Sequence, residues 1–348
     1  MKRMSILVSI LCACFVSVAW GQDVTCPASV NWTEFHTNDM KRWNPCEKVL
    51  NVNNVGNLQN LWSYNAVKVE SSPALVNGVV YVGSDDDNVY ALNARTGALL
   101  WVYVTGGSVF SSPAVVNGVV YVGSDDDNVY ALNASTGALL WRHGTGSVFS
   151  SPAVANGLVY VGSYDGNVYA LNASTGALLW SYKTNGPVEP SPAVANGVVY
   201  VNSWHASVYA LNAKTGALLW SYGGGYGSSP AVANGVVYVG SGTVGGTAYL
   251  LALNASTGAL RWSYVIGNYD DSFVNSSPAV ANGVVYVGSN ANNVDALNAK
   301  TGKKLWSYTT SNAVNSSPAV ANGVVYVGSQ DGNVYAFGLK TDRNEGKE

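Results

Sequence analysis

Short apolar runs alternate with short polar ones along most of the chain, and the pattern returns at a near-constant interval. The stretch Ser150–Tyr182 reads SSPAVANGLVYVGSYDGNVYALNASTGALLWSY, and near-copies of it fill almost everything after residue 60. Each copy divides into four runs of strand length. SSPAVA comes first, with proline at its start, the position a strand tolerates. An Asn-Gly pair follows in all seven copies, from Asn77-Gly78 to Asn322-Gly323. Between apolar runs such a pair marks a tight hairpin, because both residues accept positive φ. The second run, VVYVGS, does not alternate, which suits a strand covered on both faces. A polar turn leads to VYALN, and an Asn-Ala-x-Thr-Gly turn leads to the last run, ALLWSY. Four antiparallel strands in a unit of this length predict the blade of a β-propeller.

Two markers count the blades. The Ser-Pro prolines stand at Pro73, Pro113, Pro152, Pro192, Pro230, Pro278 and Pro318, mostly 38–40 residues apart with one gap of 48. The tryptophans stand at Trp62, Trp101, Trp141, Trp180, Trp220, Trp262 and Trp306. The two series are offset, since Trp62 precedes the first proline and no tryptophan follows the last. The expectation is an all-β, seven-bladed propeller of four-stranded blades over residues 61–340, with the tryptophans packed between blades. Leu61–Tyr64 looks like a fourth strand without a blade, and Ser316–Leu339 like a blade without its fourth strand. Joining them through the N-terminal strand around Trp62 closes the ring and removes exposed sheet edges.

Composition narrows the class. Of the 348 residues only 11% are charged, and the net charge is −3. An ordinary domain carries about 25% charged residues. No basic stripe marks a nucleic-acid surface. Residues 1–21 read as a secretory signal: Lys2 and Arg3, the apolar Ile6–Val18, then Ala19-Trp20-Gly21 before Gln22. The apolar run is short for the ~20 residues of a membrane span, so the expectation is a secreted or periplasmic protein with no span after cleavage. An N-terminal anchor and lipid attachment at Cys14 are the alternatives. Residues 22–60 form a non-repeating arm holding Cys26 and Cys46, and in an exported chain that pair reads most simply as a disulfide. Metal binding by two cysteines is the other reading. Residues 341–348 form a polar tail.

The run Ala170-Leu-Asn-Ala-Ser-Thr-Gly-Ala-Leu-Leu-Trp180, with copies beginning at Ala91, Ala131, Ala210, Ala252 and Ala296, resembles the tryptophan-docking motif of pyrroloquinoline-quinone (PQQ) dehydrogenases, A-x-D-x-x-T-G-K-x-x-W. Asn stands for the Asp, and Ala usually for the Lys. The chain is thereby identified as similar to PQQ-like repeat propellers. That resemblance implies a PQQ-like propeller and does not carry the enzymology across: the residues call for no cofactor, and PQQ with calcium is open by the resemblance alone. The dehydrogenases are longer and typically eight-bladed, with a vicinal disulfide, bound calcium and a catalytic Asp. This chain has no Cys-Cys pair and no residue-by-residue counterpart of those ligands or that Asp. A non-enzymatic branch, which includes the lipoprotein of outer-membrane protein assembly, binds partners instead.

Candidate chemistry lies where the repeat breaks. Blade four departs most, with Glu189-Pro190 before its Ser-Pro, Asn202 for the repeat's Gly, and Trp204-His205 in its turn. Arg142 and His143 fall in the connection before blade three. Tyr226, and Tyr269, Asp270 and Asp271, fall in later connections. An aromatic, a histidine and a carboxylate on one rim suit a protein or peptide, a glycan, or a small ligand. A Glu–His pair is also the minimum for acid–base work. The acidic turns Asp85–Asp87 and Asp125–Asp127 read as turn formers or as calcium ligands. The serines before each proline would line a polar channel. Three functions are therefore carried forward: a monomeric non-catalytic binding or scaffold module, a small PQQ-dependent dehydrogenase, and a carbohydrate-binding propeller.

Overall fold

The computed structural model describes residues 60–66, 68–204, 207–223, 227–242, 246–267, 274–321 and 324–338. The signal segment, Cys26 and Cys46, and the tail 341–348 lie outside them. The described residues form seven antiparallel sheets. Six are four-stranded, at 74–104, 114–144, 153–183, 193–223, 231–267 and 279–309, and the seventh, at 319–338, has three strands. Each sheet is one contiguous repeat with its strands in chain order. The first strands lie side by side in succession, so the seven sheets are blades about a common axis.

Local chemistry explains each strand. The Asn-Gly hairpins have positive φ at both central residues, 51° and 77° at Asn117 and Gly118, the conformation that matches strand twist. In blade two the second and third strands are buried on both faces, and Val120, Val122 and Val129 have no exposed surface; the third strand of blade seven, Val334–Gly338, is largely exposed. The fourth strand of blade two turns Trp141 inward and leaves Leu139, Leu140 and Arg142 exposed, with a bulge opposite the two leucines.

What joins the blades is a carbonyl shared by two donors. Trp101 Nε1 and Tyr81 Oη, both of blade one, donate to Ala134 O in the turn of blade two, at 2.9 and 3.0 Å. The same pair of bonds falls on Ala173, Ala213, Ala255 and Ala299. The receiving turn is held from within, since Asn133 Oδ1 accepts from the N–H groups of Ser135 and Thr136. The single amide oxygen of the Asn is thus enough to satisfy two N–H groups of the turn. Gly137 has φ 72°, and a Cβ there would lie 2.7 Å from the Trp101 ring. The ring packs directly on the glycine, which is why the motif ends in Thr-Gly. Burial of such a ring removes about 150–250 Å², on the order of 4–6 kcal/mol as an upper figure.

A second series of bonds runs near the axis. The N–H of Ser72 donates to Ser112 Oγ, and the series continues through Ser151, Ser191, Ser229 and Ser277 to Ser317 at 2.9–3.2 Å. These hydroxyls join blades rather than standing free along a channel. Among the described residues the series does not return from Ser317 to Ser72. Residues 60–66 form no strand, so the expected fourth strand of blade seven is not paired there. Trp62 nevertheless docks on blade one as the others dock on theirs, with Nε1 donating to Ala94 O at 3.0 Å and the ring against Gly97. Trp306 meets no such turn among the described residues and is 38% exposed, against 8% for Trp101, Trp141, Trp180 and Trp220.

Two stability measurements follow from this packing. Trp141→Ala should cost about 3–5 kcal/mol by denaturant unfolding and Trp306→Ala clearly less, because only the first leaves a cavity between docked blades. Deleting residues 22–64 should lower stability by several kcal/mol if the Trp62 segment closes the ring; unchanged melting would refute closure.

Candidate functional site

The turns between second and third strands, and the connections from one blade to the next, lie at the same end of the strands. In an ordinary blade this end is tied by a clamp. Ser150 Oγ donates to Gly162 O and accepts from its N–H, both at 2.8 Å, and Ser71 with Gly83 and Ser316 with Gly328 repeat it. The turn has its own clasp. Asp165 accepts from the Asn167 N–H and from Tyr169 Oη, at 2.8 and 2.5 Å, and Asp86, Asp126 and Asp331 hold Tyr90, Tyr130 and Tyr335 alike. Burial pushes the Asp126 carboxyl up, but bonds from Tyr130, Gly106, Ser124 and Asn128 outweigh it and hold the group below its ordinary range. These carboxylates are engaged in forming turns. Among the described residues no three His, Cys, Asp or Glu side chains converge as metal ligands.

Blade four breaks the clamp, and its departures are coupled. Pro190 stands where the clamping serine stands elsewhere, and Asn202 where the clamped glycine stands. Proline has neither a hydroxyl nor an N–H to offer. Asn202 is buried (1% exposed); its Nδ2 reaches across to Gly240 O of blade five at 3.2 Å, and its Oδ1 has no partner. The amide fills the space beside Gly227, where a Cβ would lie 1.8 Å from Asn202 Nδ2 and 2.0 Å from Gly240 O. Gly227 takes the place that Phe110, Phe149 and Glu189 hold in other connections, three residues before the proline. Pro190 and Asn202 replace the two partners of one clamp, and Asn202 and Gly227 meet in space, so the three departures are linked rather than independent.

The result is an opening at the axial end of blades four and five. A cavity of about 360 Å³ is lined by Glu189, Pro190, Trp204, Gly227, Ser228, Ser229, Val274, Asn275 and Ser277, within the range of small-ligand sites. Trp204 Nε1 donates to Glu189 Oε2 at 3.2 Å. Partial burial pushes the Glu189 carboxyl up, and the Trp204 bond pulls it back only in part. From Trp204 a row of rings leads away from the cavity. Tyr164 lies 6.1 Å from Trp204, Phe149 6.0 Å from Tyr164, both edge-on, and Phe110 stacks on Phe149 at 5.4 Å.

Glu189, Asn202 and Trp204 therefore share one place. Arg142 and His143 do not join them. They lie within the fourth strand of blade two (Leu139–Gly144), opposite Tyr130 and Val129, and not in the connection that follows it. The reason is the ladder, which runs to Gly144 before the chain leaves the sheet. His143 packs edge-on against Tyr169 at 6.3 Å. His205, Tyr226, Tyr269, Asp270 and Asp271 lie outside the described residues. Sequence reasoning missed Phe110, Phe149 and Tyr164, although the first two occupy the same repeat position as Glu189. It also missed Asp295, 3% exposed where most blades carry Tyr in the third strand, with its carboxyl pushed up by burial against opposing contacts from Ser307, Lys304 and Tyr264.

This architecture and its docking motif define a PQQ-like repeat propeller. The chain belongs to the family described as outer membrane protein assembly factor BamB, whose model matches residues 51–148, 129–268 and 208–345. Two curated relatives match shorter stretches. The quinohemoprotein alcohol dehydrogenase ADH-IIG of Pseudomonas putida is 38% identical over 77 residues, 21% of this chain and 11% of that protein. The dehydrogenase subunit of the quinone alcohol dehydrogenase of Gluconobacter oxydans is 38% identical over 66 residues, 18% of this chain and 9% of that protein. The chain thus spans about a tenth of the length of these relatives. Among solved structures, BamB from Moraxella catarrhalis is similar with TM-score 0.69 at 23% identity, covering 80% of this chain and 88% of that one. A europium-containing methanol dehydrogenase is similar with TM-score 0.71 at 17% identity, covering 89% and 85%. Both likenesses concern the fold.

Calcium beside a quinone takes about six to eight oxygen ligands, several of them carboxylate. The described lining of the cavity offers one carboxylate, Glu189, with serine hydroxyls and an asparagine. These residues do not fit that donor set.

A pH measurement tests the environment of Glu189. A carboxyl raised in the folded state favours the protonated native form, so stability falls as pH rises from about 4.3, the unfolded value, through the folded one. Glu189→Gln keeps the oxygen that accepts from Trp204. It should be at least as stable as the parent at pH 7, with the difference vanishing towards pH 4 in paired thermal melts.

Proposed function

We propose that this chain is an exported, monomeric, non-catalytic propeller that binds a protein partner on the axial end of blades three to five. The observation that carries this reading is the coupled replacement of Pro190, Asn202 and Gly227, which opens a cavity flanked by a row of exposed and half-exposed rings in an otherwise uniform ring. Membership of a family described by outer-membrane protein assembly supports it, and so does the signal-like start of the sequence. No described helix is long and apolar enough to cross a membrane. A photo-crosslinking residue placed at Tyr164 in the producing cell should attach to a defined polypeptide, whereas one at Leu179, on an outer strand, should not. Equal capture at both positions, or none at Tyr164, removes the reading.

A second reading is a dehydrogenase of reduced size, favoured by the matched segments of the two quinone-dependent alcohol dehydrogenases. It requires that PQQ with calcium raise the melting temperature, as binding to the native state must, and that alcohols or sugars then reduce a dye. A glycan ligand for the same cavity would give a melting shift with oligosaccharides. Under the first reading PQQ with calcium leaves melting unchanged.

A further inference from the structure

The charges of this propeller are sorted by end. The turns at the cavity end carry Asp85–Asp87, Asp125–Asp127, Asp165 and Asp331, and the connections there carry Glu70 and Glu189. The described turns at the opposite end carry Arg95, Lys214, Lys300 and Lys303 and no carboxylate. Of the cations near the cavity end, Lys68 is held by Glu70 and Asp85 at 2.6 and 2.9 Å, and Lys183 Nζ donates to Asp165 O. Arg142 sits on the outer strand of blade two. No described cation pairs with Glu189. A carboxylate withdrawn from water without a counter-charge is costly, and a cation that meets it removes that cost.

The rings beside it are the other half of the site. Trp204 stands over the cavity with its N–H already committed to Glu189, and Tyr164 next to it is 46% exposed. Aromatic faces attract cations, Trp most strongly, and attract guanidinium more often than ammonium. Guanidinium is planar, weakly hydrated, and able to stack on a ring while it bonds a carboxylate. The negative field at this end would draw such a group in and repel an acidic one.

We propose that the cavity at Glu189 and Trp204 is a receptor for an arginine side chain of the partner polypeptide, its guanidinium bonded to Glu189 and stacked on Trp204, with Tyr164 and Phe149 covering the flanking residues. This rests on the reading of the chain as a protein-binding propeller and supplies the chemistry of the partner.

The test uses the full chain and three labelled nonapeptides, each with three Gly-Ser-spaced copies of arginine, lysine or the neutral isostere citrulline. Fluorescence anisotropy should show binding in the order arginine, lysine, citrulline, with citrulline weaker than arginine by about ten-fold or more, the scale of one charge-assisted contact. Glu189→Gln should weaken the arginine peptide by a similar factor and Tyr164→Ala by about three-fold or more. Asp127→Asn removes one negative charge from the same end, in the turn of blade two and outside the cavity lining, and should change affinity by less than about two-fold, as a screened charge does. Equal loss in Glu189→Gln and Asp127→Asn would mean general attraction to an acidic surface and would overturn the proposal. So would a citrulline peptide that binds as well as arginine, or oligosaccharide binding with no peptide binding. A partner crosslinked at Tyr164 with no arginine preference would sink this inference alone and leave the protein-binding reading standing.

Discussion

Everything in this propeller depends on a hydrogen-bonded carbonyl at the outer end of each Asn-Ala-x-Thr-Gly turn. Two donors from the preceding blade, a tryptophan and a tyrosine, converge on it, while the indole ring covers a glycine that has no side chain to hold it off. The carbonyl, the glycine and the self-bonded Asn and Thr of the turn are needed together, because a displaced turn would cost both bonds and the burial of the ring. That is why five successive blades reproduce the contact with donor distances of 2.9–3.1 Å. Trp306, which meets no such turn among the described residues, is 38% exposed.

Such a scaffold leaves little freedom near the docking contacts and more at the axial end, where each blade is tied by a serine–glycine clamp. Blade four gives up its clamp. Losing those bonds and leaving Asn202 Oδ1 unpartnered costs about 1–3 kcal/mol for the buried oxygen alone. The docking contacts of the same blade are intact, with Trp220 and Tyr200 both on Ala255, so the ring tolerates this local cost. A local rule broken in one repeat and compensated by its neighbours is where a functional site is expected.

The likeness to quinone-dependent dehydrogenases lies in the fold and in short matched segments. The docking motif belongs to the spaces between blades, whereas the cavity at Glu189 and Trp204 lies at their axial end. The docking motif recurs nearly unchanged from repeat to repeat, while the described lining of the axial cavity offers one carboxylate, Glu189, beside Trp204. Shared fold and shared motif therefore say little about shared chemistry.

The repeat made the architecture legible. Asn-Gly pairs, uninterrupted apolar runs and evenly spaced tryptophans act through contacts within one blade or between adjacent ones, so strand content, blade number and the inter-blade place of the tryptophans followed from spacing alone. Glu189, Asn202 and Trp204 were legible as departures from the consensus. Their meaning was not, because Pro190, Asn202 and Gly227 are coupled through space, across 37 residues of chain, and only the register of the blades brings them together. Arg142 and His143 show the opposite limit. They look like connection residues in sequence, yet the strand ladder runs past them to Gly144. The row from Phe110 to Trp204 draws one or two residues from each of several repeats, and only the closeness of adjacent blades at the axis turns them into one surface. By itself the sequence determined the blade, since its signals are local. The tertiary structure decided the site, since a site at the end of a propeller is assembled from residues that the chain keeps apart.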